Sequence, residues 1–322
     1  MPWFQACPRP GLRQQERLIE MTLTVRPLHP IFAAEIIGAD LTVPPGRDLV
    51  ETVQQTMAAY AVTVVRDVRA SDQDHIRFAR AFGPLELPPG LNRFDGNNTR
   101  QIAPELFDIS NLDGNNEIIP YASERRRLAR ATERFHTDSS FHTLPTKWSL
   151  LLAHGVPPVG GDTLFIDTRA VFDALPDDTK AKVEPLAAIH DFWRGRELAG
   201  VTGVTDEMRA TMPPVTQPMV RTMPYGRRSL YIGGHTSGIV GWPEEAALGF
   251  LDELYDFATQ DRFIYAHKWR DDDLVIWDNR CTLHAATPLA TDEYKRDLRR
   301  ATINEYGPEV SAEYGRGLTA PP

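Results

Sequence analysis

The sequence predicts a mainly β fold with flanking helices (α+β), of the sandwich or jelly-roll kind. Three features predict it. From Trp148 onward, short runs of β-forming residues recur with turn residues between them. The 26 prolines and 22 glycines are scattered, which suits many short elements joined by turns. No Gly-rich phosphate loop or dinucleotide fingerprint is present, so a Rossmann-type sheet has no support.

The elements follow in order. TLTVR (22–26) alternates as a strand does, and residues 47–60 set Leu49, Val50, Val53 and Met57 on one side of a helix. AVTVV (61–65) reads as a buried strand. Ser71 with Asp74 has the spacing of a capping box and opens a helix through about Phe82. Residues 83–131 are polar, irregular and rich in Gly, Asn and Pro. A segment that long inside a compact domain is usually functional, and it is expected to cover the active site as a loop or lid. The β runs are WSLLLA (148–153), TLFI (163–166), SLYIG (229–233), RFIYAHKW (262–269), DLVIW (273–277) and LRRATINEY (298–306). A helix over about 168–184 interrupts them. Another begins near Pro243 and carries Leu248, Leu251, Leu254, Tyr255 and Ala258 at helical spacing. This organisation predicts one domain over 22–306. A disordered extension (1–21) precedes it, ending at a second methionine, Met21, and a tail (307–322) follows it.

Composition narrows the function. A net charge of −9 argues against nucleic acid as a partner, though a local basic pocket could still take a small anion. No apolar run reaches the length that spans a bilayer, and the first twenty residues lack the apolar stretch of a signal peptide. Cys7 and Cys281 are too few for a disulfide framework, so a reducing cytoplasm is expected.

His136-Thr137-Asp138 is the one His-x-acid triplet among the nine histidines. With 44 acids in the chain, about one such triplet is expected by chance, so it carries little alone. On an extended strand, however, residues two apart share a face, and an imidazole and a carboxylate could grip one metal. His284, after DLVIW and the turn-like DNRCT, is the candidate third ligand at a strand end. Two imidazoles and one carboxylate on one side of a metal leave open positions opposite, the preference of oxygen-activating Fe(II) sites. Arg296 and Arg300, four apart in KRDLRRATI, would share a strand face with Leu298 and Thr302. Their planar forks suit a dicarboxylate, whose buried charge needs a cation. His142, His154, His190 and His267 read as structural.

FHTDSSF (135–141), GGDTLFID (160–167), WDNRCTLHAAT (277–287) and RRATI (299–303) together resemble the TauD/TfdA family of Fe(II)- and 2-oxoglutarate-dependent dioxygenases. The likeness extends from about 22 to 306, with VRPLHPIFAA near the start and FARAFGPLE at 78–86. LFDISNLDG (106–114), MPPVTQPMVRT (212–222) and LYIGGHTSGIVG (230–241) point to its TfdA branch. The resemblance implies a double-stranded β-helix (jelly-roll) core of the clavaminate synthase-like kind. It implies His136, Asp138 and His284 as ligands of Fe(II), with 2-oxoglutarate and O2 as co-substrates and succinate and CO2 released. It places Thr163 and Arg296 on the distal carboxylate of 2-oxoglutarate. Arg300 would touch the other carboxylate or an acidic group of the substrate.

Phe135 stands where the family often has Trp, which keeps a large apolar wall. Thr132 stands where the taurine enzyme has Asn facing its substrate, which argues against taurine. The expected substrate is a small organic acid, aromatic or aryloxy. Arg300, His235, Thr132 and Phe141 are its candidate neighbours, with Trp193, Arg194 and Arg227 as further wall residues. An alkylsulfonate or alkyl sulfate oxygenase is the alternative within the class, and a jelly-roll zinc hydrolase the alternative outside it. A homo-oligomer, dimer or tetramer, is expected.

Overall fold

Residues 149–153 and 274–277 are nearly continuous apolar runs, with no polar face to offer to water. Strands of that kind must be covered on both sides, and the fold is arranged around them. The structure is a computed structural model that describes residues 22–88, 100, 102–198, 200–289, 292–307 and 310–311. The proposed N-terminal extension, most of the proposed tail and residues 89–99 and 101 of the proposed lid lie outside the described residues.

Strands β1 (Thr24–Pro27) and β2 (Ala34–Ile37) form an antiparallel pair. Helix α1 (Arg47–Tyr60) buries Leu49, Val53 and Met57, and β3 (Val62–Val65) returns parallel to β2. Helix α2 (Asp72–Arg80) opens on the expected capping box between Ser71 and Asp74 and is capped at Ala81, close to the expected Phe82. The segment read as an irregular loop is partly regular. It holds β4 (Leu85–Leu87), β5 (Phe107–Asp108) and helix α3 (Glu124–Ala129). Pairing with a distant strand, which local propensity does not reveal, makes β4 and β5.

Strands β6 (Thr146–Gly155) and β7 (Thr163–Asp167) follow. The single helix expected over 168–184 is two, α4 (Thr168–Ala174) and α5 (Asp177–Val183). Pro176 lacks an amide proton and forces Leu175 out of the helical region, to ψ 147°. Next come β8 (Ala187–His190), α6 (Phe192–Leu198), α7 (Asp206–Thr211) and β9 (Val215–Pro218). The short strands β10 (Val220–Thr222), β11 (Arg228–Leu230) and β12 (Thr236–Ile239) lead into α8 (Glu244–Ala258). The run expected over 262–269 begins as a 3-10 turn and becomes β13 only over Ile264–His267. Strands β14 (Leu274–Asp278), β15 (Thr282–Ala286), β16 (Asp297–Asn304) and β17 (Val310–Ser311) complete the order.

The large sheet runs β1-β2-β3-β14-β6-β16-β4-β17, with β5 also on β16. A smaller antiparallel sheet, β13-β7-β15, faces it, and β12-β8-β9 forms a third. Alternation along each strand sorts the side chains. Leu150, Leu152, Leu274, Ile276, Ala301 and Ile303 pack outward against α1 and α2. Leu151, Ala153, Val275, Trp277 and Leu298 point inward, where they meet Phe165 of β7. The outer side of the smaller sheets is covered by α4 and α8. This is a double-stranded β-helix with helices on both outer faces. Among the described residues, no helix is long and apolar enough to cross a membrane.

Leu150 lies fully buried in the middle of β6, whereas Val25 is exposed on edge strand β1. Leu150→Ala should therefore lower the unfolding free energy by about 2–5 kcal/mol. Val25→Ala should change it by no more than about 0.5 kcal/mol. Urea denaturation of the two variants checks this layering.

Candidate active site

The two site histidines meet through the backbone. His136 N–H donates to the His284 carbonyl at 2.9 Å, and His284 N–H donates back to His136 at 2.8 Å. This reciprocal bridge sets residues 136 and 284 directly opposite one another, with ring centroids 4.2 Å apart. His284 is inside β15 rather than beyond a strand end, because β15 begins as soon as the 278–281 turn closes. The triplet is also not on a continuous strand. After His136 the chain enters a turn, and Ser139 takes a left-handed φ of 52°. Asp138 reaches the histidines from that turn. The three residues are buried, and one ligand atom from each lies within 4.8 Å of the others. Asp138 Oδ2 is 3.8 Å from His284 Nε2.

Surrounding bonds fix the protonation and aim of this donor set. His136 Nδ1 donates to the Arg134 carbonyl at 2.9 Å, which leaves the Nε2 lone pair free. Burial pulls both imidazoles below their ordinary range, His284 to about 3, so both are neutral donors near pH 7. Burial opposes ionisation of Asp138. Arg300, the two imidazoles and a Ser149 hydrogen bond outweigh it and hold the carboxyl well below the usual carboxylate range. Arg300 Nη1 donates to Asp138 Oδ1 at 2.5 Å, and Ser149 Oγ donates to Oδ2 at 2.7 Å.

Asn279, which the sequence reading did not single out, ties the assembly together. It donates to Ser149 Oγ at 2.9 Å and accepts from Trp277 Nε1 at 2.9 Å and from Asp138 N–H at 3.2 Å. Its place in the WDNR motif was the available signal. Two neutral nitrogens and one anionic oxygen, buried and mutually close, fit a divalent iron site.

Beside the triad is a cavity of about 260 Å³, lined by Thr163, Trp277, Arg296 and Arg300 among others. Arg296 precedes β16 at a break in its pairing register, so it does not simply share the strand face of Arg300. Burial draws its guanidinium down to about 10, and its hydrogen-bond partner is the Ile109 carbonyl at 3.1 Å. The contrast with other buried arginines is informative. Arg100, Arg169, Arg221 and Arg280 each have a carboxylate partner. Among the described residues, Arg296 has none. Thr163 Oγ accepts from Trp269 Nε1 at 3.0 Å, which leaves its own proton for another acceptor. Gly161, at φ 70°, lies against Arg296, and a β-carbon there would approach Arg296 Nε to 3.4 Å. A buried cation lacking a counter-ion, beside a free hydroxyl proton, fits one end of a dicarboxylate.

A second group of side chains is built around His235. His235 lies 5.6 Å from His136, 4.8 Å from Phe141 and 6.1 Å from Phe192, ring centre to ring centre. Burial and the nearby His136 and Arg196 keep its imidazole neutral. Gly195 lets α6 approach, since a β-carbon there would come within 2.5 Å of the Gly234 carbonyl. Arg196, on the same helix, stacks over Phe192 at 4.1 Å. Burial draws it to about 10, and it too has no carboxylate partner among the described residues. The sequence reading missed Arg196 because a charge on a short helix reads as solvated.

The remaining expected residues are distributed as follows. Thr132 lines the cavity, with its hydroxyl bonded to the Ala129 carbonyl at 2.7 Å. Trp193 is buried. Arg194 turns to Glu244, and Arg227 pairs with Asp173 at the surface, so neither joins the wall. His267 is fully buried against Asp273 and His190 stacks on Tyr231, consistent with structural roles.

A buried pair of imidazoles with one carboxylate, beside a cavity that also holds an arginine with no carboxylate partner among the described residues, fits a mononuclear non-haem iron oxygenase. Comparison with known proteins takes this further. Residues 24–302 match the family described as Taurine catabolism dioxygenase TauD, TfdA family. The chain is 39% identical over 283 residues to an alpha-ketoglutarate-dependent 2,4-dichlorophenoxyacetate dioxygenase of Cupriavidus pinatubonensis, covering 88% of this chain and 98% of that protein. It is 34% identical over 276 residues to an (S)-phenoxypropionate/alpha-ketoglutarate-dioxygenase of Sphingobium herbicidovorans, covering 82% and 89%. The crystal structure of AAD-2 in complex with Mn(II) and N-oxalylglycine matches with a TM-score of 0.80 at 36% identity, over 90% of this chain and 100% of that one. The chain belongs to the TauD/TfdA family and is a 2-oxoglutarate-dependent Fe(II) dioxygenase.

Replacing a ligand should weaken Mn(II) binding more than replacing the residue that orients it. Asn279→Ala is expected to lose about 10–100-fold in affinity, and His284→Ala should lose more than that. Titration of free Mn(II) by electron paramagnetic resonance reads both.

Proposed function

We propose that this dioxygenase hydroxylates a small carboxylic acid with an aromatic or aryloxy body, bound with its ring among Phe141, Phe192 and His235 and its carboxylate on Arg196. The observation that carries this reading is Arg196. It is a desolvated guanidinium with no carboxylate partner among the described residues, stacked on Phe192, whose ring lies 6.1 Å from His235, itself 5.6 Å from a metal-site histidine. Such a cation calls for an anionic ligand, and the rings suit a flat apolar body. The names of the relatives at 39% and 34% identity, 2,4-dichlorophenoxyacetate and (S)-phenoxypropionate dioxygenases, describe acids of this class. Arg300 is the weaker choice for the substrate carboxylate, since it is already bonded to Asp138.

In this reading His136, Asp138 and His284 hold Fe(II). Arg296 and Thr163 hold the distal carboxylate of 2-oxoglutarate. Arg300 steadies Asp138 from the cavity side. Iron with 2-oxoglutarate and O2 supplies the oxidation that places a hydroxyl on a substrate C–H carbon, with succinate and CO2 as co-products. The residues contribute position, fixed charge and a neutral donor set. Where the hydroxylated carbon bears an ether oxygen, the product is a hemiacetal. It collapses to a phenol or alcohol and a carbonyl acid. The described part of the 83–131 segment acts as a cover over the site, and Ile119, Tyr121 and Ala129 on the cavity wall support that role. The same proposal includes a cytoplasmic homo-oligomer, which light scattering of the purified protein checks.

Substrate-dependent succinate formation, compared between aryloxyacetates and alkylsulfonates, tests the substrate class. Faster turnover of the aryloxyacetates is expected, and preference for sulfonates would overturn the reading. Removing a buried charge partner costs about 2–5 kcal/mol, or roughly 30-fold and upward in apparent affinity. Arg196→Met should therefore raise KM for the acid by that factor while KM for 2-oxoglutarate stays within about threefold. Arg296→Ala should show the reverse split. Equal effects of the two changes on both KM values would contradict the two-site assignment.

A further inference from the structure

Three inward-facing residues lie in a row across adjacent strands beneath the turn that carries Asp138. Thr302 of β16 is opposite Ser149 of β6 on one side and opposite Glu86 of β4 on the other. Their neighbours Leu85, Leu150, Ala301 and Ile303 pack on the outer face, so the row itself must face the interior. Both ends of the row are bonded to the turn. Ser149 Oγ donates to Asp138 Oδ2 at 2.7 Å, and Ser139 Oγ donates to Glu86 Oε1 at 2.9 Å. Thr146 Oγ adds a bond to the Asp138 carbonyl at 3.0 Å.

Glu86 is otherwise unexplained. It is 3% exposed and has no ion pair among the described residues, and its Oε2 is buried without a hydrogen-bond partner. Packing alone favours an apolar side chain at such a position. Ser139, the residue it holds, has a φ of 52°, a conformation that a residue with a β-carbon keeps only when its surroundings enforce it.

We infer that Glu86 is a positioning residue of the metal site: by anchoring the Ser139 hydroxyl it locks the left-handed turn that presents the Asp138 carboxylate to the metal. The inference rests on the reading of Asp138 as a ligand. The anchor is indifferent to the proton on Glu86, because Oε1 can accept from Ser139 in either state. Burial raises that carboxyl to about 7 against the pull of Arg300 and the Ser139 bond, which limits repulsion of Asp138 near neutrality.

The test is Mn(II) affinity, measured with thermal unfolding of the metal-free protein. Glu86→Leu and Ser139→Ala should each weaken Mn(II) about 10–100-fold, the range seen for residues that orient metal ligands. The double variant should be no worse than the weaker single one. Glu86→Gln keeps an acceptor for Ser139 and should stay within about threefold of the unaltered protein. Ser139→Gly fits the left-handed backbone but has no hydroxyl, so its Tm should hold while its Mn(II) affinity falls as in Ser139→Ala. Unchanged affinity in Ser139→Ala, losses that multiply in the double variant, or a Glu86→Gln as weak as Glu86→Leu would each overturn the anchor. Should Glu86→Leu not fold, the two Ser139 variants and Glu86→Gln decide alone. Unchanged Mn(II) binding in Asp138→Ala would instead bring down the ligand assignment beneath it.

Discussion

The site depends on one pair of backbone hydrogen bonds, the reciprocal bridge between His136 and His284. Residues 148 positions apart in the chain become direct neighbours through it, at the edge of a three-stranded sheet whose order is otherwise β13-β7-β15. Everything else in the donor set follows from that contact. Once the two imidazoles lie side by side, a carboxylate two residues past His136 needs only a tight turn to reach them. The chain supplies that turn at residues 138–140 and fastens it with Ser149, Thr146, Asn279 and the Glu86–Ser139 bond. The strand alternation that buries Leu150 and Ile303 outward is what leaves Ser149, Arg300 and Thr302 for the interior. Core packing and site geometry are thus two faces of the same strands.

Electrostatics divides the buried cations by purpose. Arg169 is fully buried and held by Asp167 through both carboxylate oxygens, and Arg280 by Asp278. Such pairs are complete and call for no ligand. Arg296 and Arg196 are different, since burial has lowered both guanidinium groups and neither has a compensating carboxylate among the described residues. The uncompensated positions therefore read as places kept for two anions, one associated with Thr163 and one with the aromatic group around His235.

Much of this was legible in the residues. The apolar runs of β6, β7 and β14, the capping box of α2 and the stripe of α8 carry their structure in local spacing. Pro176 stood in the sequence as a helix breaker, yet the reading ran one helix over 168–184 through it. The candidate metal triad was legible only through its order among other motifs, because a His-x-acid triplet alone is a chance-level event. Its exact setting was not legible: a turn in place of a strand at Asp138, and a strand interior at His284, are set by pairing between distant segments. Strands β4 and β5 were missed for the same reason, since their partner β16 begins 189 or more positions later. Arg196 and Glu86 look like ordinary surface charges in sequence, and only burial shows otherwise.

Anomalous X-ray scattering at the iron edge, from crystals of the protein loaded with Fe(II) under nitrogen, measures the central claim most directly. A single strong peak within bonding distance of His136 Nε2, a carboxylate oxygen of Asp138 and an imidazole nitrogen of His284 is the predicted result. A peak that leaves any one of the three unbonded, or iron bound elsewhere with this cluster empty, would contradict the account.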